Sequence, residues 1–186
     1  MDHDFNLEAL LQDFPDLDVS FPDQGRTALH LASQYNHFEK VELLLACLRI
    51  DVNVQDSLGR TPLFVAVEFG ADSRLICALL GVEGVEAGLS DCRGRTPLWE
   101  TCRQGDLELV ELLRASAKDL DLNKKVCGDR ADDGLIYSAL EIAQQSSYPD
   151  VVSHLEKFVV NPEITRHELQ VTLGRPEALA GLCRFL

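Results

Sequence analysis

The tripeptide Gly-Arg-Thr occurs three times in this chain, at Gly25-Arg26-Thr27, Gly59-Arg60-Thr61 and Gly94-Arg95-Thr96. The threonines are 34 and then 35 residues apart. Each opens a matching string: Ala28-Leu29-His30-Leu31-Ala32, Pro62-Leu63-Phe64-Val65-Ala66 and Pro97-Leu98-Trp99-Glu100-Thr101. A fourth copy, Ser138-Ala139-Leu140-Glu141-Ile142-Ala143, follows 42 residues after Thr96 and has lost the Gly and Thr. The seven extra residues of that interval fall in a polar loop, Lys124–Gly134. A period of this size constrains the fold more than any local propensity does. One such unit cannot bury its own apolar face, so neighbours must stack into a quasi-linear array.

Within each period the residues predict two helices. Thr before Pro-Leu sits where a helix starts: its hydroxyl caps free N–H groups, and Pro suits the first helical position. A second helix follows in each unit, at Phe38–Cys47, Ser73–Leu80, Leu107–Arg114 and about Asp150–Phe158. Their apolar residues recur at helical spacing, as in Val41, Leu44, Leu45 and Leu48, or Leu75, Ile76, Leu79 and Leu80. Gly70 and Gly105 stand where a left-handed cap ends the first helix. Leu7–Phe14 reads as a lone second helix, so the sequence opens on half a repeat. Thr165-Arg166-His167-Glu168 is a capping box for a helix stopping at Gly174, and Pro176–Phe185 reads as a last helix.

This pattern resembles the ankyrin repeat, with its D-x-x-G-x-T-P-L-H-x-A signature. Repeats two and three carry Asp56-x-x-Gly59 and Asp91-x-x-Gly94, whereas repeat one has Pro22 in place of the Asp. Only repeat one keeps the signature His, as His30; Phe64, Trp99 and Glu141 replace it. The resemblance implies an all-α solenoid of helix-turn-helix units with short β-turn fingers and helical caps. It divides the chain into an N-terminal capping half-repeat (1–21), four repeats (22–55, 56–90, 91–131 and 132–160) and a C-terminal helical cap or tail (161–186). The stretch from Asn161 to Gly174 is similar to a tail found after ankyrin repeats in fungal proteins. Asn53, eight residues after Leu45, resembles a site of asparaginyl hydroxylation in such repeats, although backbone bonding alone accounts for an Asn at a turn.

Charge excludes several function classes. Lys and Arg number 17 against 31 Asp and Glu, a net charge of −14. That disfavours nucleic acid, because binding phosphates requires a basic surface that releases counterions. Anionic membrane surfaces are disfavoured on the same ground, and no apolar run approaches the ~20 residues of a membrane span. The N-terminus lacks the basic start and apolar stretch of a secretory signal. Six irregularly spaced cysteines, without a CxxC pair, then read as reduced thiols of an intracellular, cytoplasmic or nuclear protein. Cys47, Cys77 and Cys102 fall on apolar helix positions, and Cys92 and Cys127 on a turn and a loop. The five histidines show no metal-ligand spacing, and there is no phosphate-binding glycine loop or nucleophile elbow. Neither a catalytic residue, a metal nor a cofactor is expected.

The resemblance places binding on the concave face, formed by turns and first helices, with another protein as the partner. Mapped repeat by repeat, the candidate contacts are Arg26, Gln34 and Tyr35; Arg60, Glu68 and Phe69; and Arg93, Arg95, Arg103 and Gln104. Arg26, Arg60 and Arg95 form an aligned row, thickened by Arg93 and Arg103. Tyr35 and Phe69 share one repeat position and flank it. Arginine with exposed aromatics is the composition of interface anchors. The arginine row also admits a structural reading, in which each arginine pairs with a turn carboxylate. A second class of function, an enzyme or small-molecule binder, has one place for a pocket: the degenerate fourth repeat, its loop and the tail helices.

Overall fold

The computed structural model describes residues 25–46, 50–116, 120–122, 124–127 and 136–160. Eight helices lie among them, in four pairs. The first pair is α1 (Ala28–Gln34) and α2 (Phe38–Leu45), the second α3 (Pro62–Glu68) and α4 (Ser73–Leu80). The third is α5 (Pro97–Gln104) and α6 (Leu107–Ser116), the fourth α7 (Ala139–Gln145) and α8 (Pro149–Val160). The fold is the all-α repeat array that the sequence predicts.

Every first helix starts in the same way. Thr27, Thr61, Thr96 and Ser138 have extended backbones, and their hydroxyls accept from the amides of His30, Phe64, Trp99 and Glu141. Such a cap typically contributes about 1 kcal/mol. Pro62 and Pro97 occupy the first turn, where a missing N–H costs nothing.

Stacking then proceeds in two rows. α1 packs on α3, α3 on α5 and α5 on α7, while α2, α4, α6 and α8 form the second row. The signature leucines Leu29, Leu63 and Leu98 are buried, as are Val41 and Leu44, Leu75 and Leu79, Val110 and Leu113, and Val151 and Leu155 on the second helices. Burial of each such side chain contributes about 1.5–3 kcal/mol. The core is therefore a continuous seam between the rows, renewed in each repeat.

The turns stack as well. Asp56 N–H donates to Arg60 O at 2.9 Å and Gly59 N–H to Asp56 O at 2.8 Å; Asp91, Arg95 and Gly94 repeat the arrangement. Cys92 N–H crosses to Leu58 O at 2.8 Å, tying one turn to the next. Gly59 is obligatory at this join: its φ is +74°, and a Cβ there would lie 2.8 Å from Cys92 N. In the long third interval, Val126–Cys127 (β1) pairs antiparallel with Ile136–Tyr137 (β2), in the register Val126↔Tyr137 and Cys127↔Ile136. The expected helices Leu7–Phe14, Thr165–Gly174 and Pro176–Phe185 lie outside the described residues, as does most of the loop Lys124–Gly134.

Candidate functional site

The arginine row is built from the turns upward. Asp56 Oδ1 accepts from the amides of Leu58 and Arg60, both at 2.9 Å, which aims Oδ2 at the Arg60 guanidinium. Arg60 Nε and Nη2 close on Oδ2 at 2.9 and 2.7 Å, and its Nη1 reaches Glu68 at 2.7 Å. Burial alone would raise the Asp56 carboxyl, but the bonds from Arg60 outweigh it and hold the group below the usual carboxylate range. Asp91 and Arg95 repeat the pair, with Nε to Oδ2 at 2.8 Å. Arg95 extends further: Nη2 reaches back to Glu68 at 3.4 Å, and Nη1 reaches Glu100 at 3.4 Å. Its guanidinium also lies 5.5 Å from the centroid of the Phe64 ring.

The result is a ladder in which Glu68 bridges two repeats. Arg60 and Arg95 are only 6% and 8% exposed. Both are among the expected contact residues, and both are paired with carboxylates. Breaking a buried pair by removing one partner typically costs 3–5 kcal/mol, so the ladder is a rigid support.

Glu100 was missed by sequence reasoning. Its side chain is wholly buried and accepts from Arg95, Arg103 and Gln104. The available signal was its position: Leu31 and Val65 occupy the same place in earlier repeats. A carboxylate replacing an apolar residue needs a cation, and Arg103 stands one helical turn away. Gln104 is similarly committed, since its Nε2 also donates to Val67 O at 3.2 Å.

What the face presents to solvent is different. Tyr35 is 63% exposed and Phe69 50%, each at the C-cap of a first helix. Leu58 and Arg93 are exposed at the turns, with Arg93 N–H fixed on Asp91 Oδ1 at 2.9 Å. Gln34, Glu68, Arg103 and Gln104 are half-buried beside them, as is Arg26. Of the ten expected residues, Arg60 and Arg95 are buried, Tyr35, Phe69 and Arg93 exposed, and the other five half-buried.

The replacements at the signature His each keep a role. His30 accepts from Thr27 N–H at 3.1 Å and its Nε2 meets Arg60 O at 2.9 Å. Burial lowers its pKa. Trp99 Nε1 donates to Tyr137 O at 3.2 Å, the same inter-repeat link made with an indole. Phe64 offers its ring to Arg95, and Glu141 closes a capping box with Ser138 N–H at 2.7 Å. Asn53 is also structural here: its Nδ2 donates to Gly84 O at 2.8 Å, and its Oδ1 accepts from Glu86 N–H at 2.9 Å.

Among the described residues no group of three or more His, Cys, Asp or Glu is placed to hold a metal ion, and no helix is long and apolar enough to cross a membrane. Cys102 is in the core, where burial pushes its thiol up to about 12. Cys77 is half-buried and Cys92 exposed. His154 lies 3.5 Å from Glu111; burial first, then the nearby Arg114 and Lys157, lower its pKa to about 4.

Comparison with known proteins agrees with this architecture. The family model for ankyrin repeats (3 copies) matches residues 2–77 and 63–165. Neurogenic locus notch homolog protein 1 of Mus musculus is 30% identical over 172 residues, 89% of this chain and 6% of that protein. SMC5-SMC6 complex localization factor protein 1 of Homo sapiens is 38% identical over 90 residues, 48% of this chain and 8% of that protein. Glycerophosphocholine phosphodiesterase GDE1 of Candida albicans is 35% identical over 103 residues, 52% of this chain and 8% of that protein. The chain spans less than a tenth of the length of each of these relatives.

Proposed function

This chain belongs to the ankyrin-repeat family, and from that premise we propose that it is an adaptor, inhibitor or scaffold that binds a partner protein inside the cell through the face shared by its turns and first helices. Ankyrin repeats are in general protein–protein interaction modules. The observation that carries the reading is the pair Tyr35 and Phe69, two large aromatic side chains exposed at equivalent repeat positions above a rigid ionic ladder. Large rigid aromatics lose little conformational entropy on binding and bury much area, so they anchor interfaces. Leu58, Arg93, Arg103 and Gln104 extend the same strip. Arg60 and Arg95 hold it in shape from below rather than touching the partner.

The test is affinity capture from cell extract with the chain and its Tyr35→Ala/Phe69→Ala variant, read by mass spectrometry. The reading expects partners recovered with the parent and lost with the variant, while both melt at the same temperature. A partner retained by a folded double variant contradicts it.

A further inference from the structure

The row of exposed aromatics does not end at Phe69. Gln104 holds the same repeat position as Tyr35 and Phe69, and it is polar. A ring nevertheless stands beside it, supplied by the next repeat. Tyr148 immediately precedes α8, and its ring lies over Gly105, the residue after Gln104: a Cβ on Gly105 would fall 2.5 Å from Cδ1 and Cε1 of Tyr148. Gly105 takes φ +80° at the C-cap of α5, so one glycine serves both the helix end and the seat of the ring. Tyr148 keeps 36% of its surface exposed. Aromatic rings thus mark successive repeats along one rim, where the first helices end. Adjacent first helices pack at about 8–10 Å, which sets the step between neighbouring rings.

The charge along this rim is predominantly negative. In the helix connections and following first turns of repeats two to four (69–74, 104–109 and 146–151), Asp72, Asp106, Glu108 and Asp150 are exposed against one exposed cation, Arg74. Arg74 is already placed over the Phe38 ring, 4.4 Å from its centroid. In repeat one Glu39 and Lys40 cancel. The acids are not all taken up by the helices they precede. Asp106 Oδ1 accepts from Leu109 N–H at 3.0 Å, whereas Asp72, at the N-cap of α4, makes no side-chain capping bond.

Resting on the proposed binding face, we infer that Tyr148 is its third aromatic anchor, and that the partner lays along the row a short segment that mixes basic and large apolar side chains. Its Lys or Arg groups meet the carboxylates and the ring faces, where a cation is attracted by the negative face of the ring. Its apolar side chains pack between the rings. At about 3.3 Å per residue, an extended segment passes from one ring to the next in roughly three residues. The net charge of −14 draws such a segment in from a distance, and the rim fixes its register.

The experiment is selection of phage-displayed random dodecapeptides on the immobilised full chain at physiological salt, followed by fluorescence polarisation with the recovered peptides. Lys or Arg interspersed with Leu, Met or Phe is expected in the recovered sequences. Tyr148→Ala should weaken their binding about tenfold, the effect of losing one aromatic anchor. Asp72→Asn/Asp150→Asn should weaken it about 3- to 10-fold, and by less at 0.5 M salt, where exposed charges are screened. Because Tyr148 also packs on Gly105, hydroxyl-radical footprinting of the parent chain with a recovered peptide reads the same contact without a substitution: protection of Tyr148 is expected. Failure to recover basic peptides overturns the inference, as does a bound peptide that leaves Tyr148 reactive or is indifferent to both variants. Peptides lost with Tyr35→Ala/Phe69→Ala but unaffected by the Tyr148 and Asp72/Asp150 variants leave the binding face standing and remove only this extension. Peptides indifferent to every variant remove both.

Discussion

Asp56→Asn is the sharpest perturbation of the ladder, because it changes charge at almost constant shape. The asparagine carbonyl oxygen still accepts from the amides of Leu58 and Arg60, the two bonds that shape the turn. Its NH2 group, however, faces the Arg60 guanidinium, donor against donor. Two charge-assisted bonds at 2.9 and 2.7 Å are lost. Arg60 keeps Glu68 at 2.7 Å, so its charge is not wholly abandoned. That places the cost at about 3 kcal/mol, the lower end for breaking a buried pair. For a chain of this size the melting temperature falls by about 6–12 °C. Thermal unfolding followed by circular dichroism at pH 7 measures it. The acid side supplies a second readout. The folded Asp56 carboxyl lies below its ordinary value, so its contribution is complete above the unfolded value of about 3.9 and fades as pH falls through the folded one. The variant lacks that portion of acid sensitivity. A melting temperature within about 2 °C of the parent refutes the structural role of the row and returns Arg60 to the partner.

Three further outcomes follow from the same geometry. His154 is held near 4 in the fold, against 6.5 for a free imidazole. The unfolded chain therefore takes up the proton first; stability is full above pH 6.5 and declines by at most about 3 kcal/mol towards pH 4, and His154→Gln flattens that part of a melting-temperature profile. Ser147 sits at φ +62°, in the place that Gly70 and Gly105 fill in other repeats, so Ser147→Gly should raise stability by about 0.5–1 kcal/mol in urea unfolding. In the native protein a thiol reagent should label Cys92 within minutes and leave Cys102 unreacted until the chain unfolds.

The period and the caps made the fold legible before any coordinate. α4 runs Ser73–Leu80 as its sequence predicts, and α2, α6 and α8 differ from expectation only at their ends. Stacking requires the same residue type at the same place in each unit, so repetition reports burial directly. The site was half legible. Tyr35 and Phe69 stand exposed where a variable position should be. Arg60 and Arg95 could not be assigned by position alone: an arginine on a binding face and an arginine under it carry the same letter. The deciding residues were Asp56 and Asp91, four places earlier, together with Glu68 from the helix above. Trp99 shows the converse. It departs from the family signature, yet its indole restores the bond to the next repeat that His30 makes with imidazole.

Hydroxyl-radical footprinting of the captured complex tests the central claim most directly. Tyr35 and Phe69 are exposed, as is Val159 on the second helix of the fourth repeat. The account predicts several-fold protection of Tyr35 and Phe69 by the partner, with Val159 oxidised at its original rate. Protection of Val159 with Tyr35 and Phe69 still reactive places the partner on another face and contradicts it.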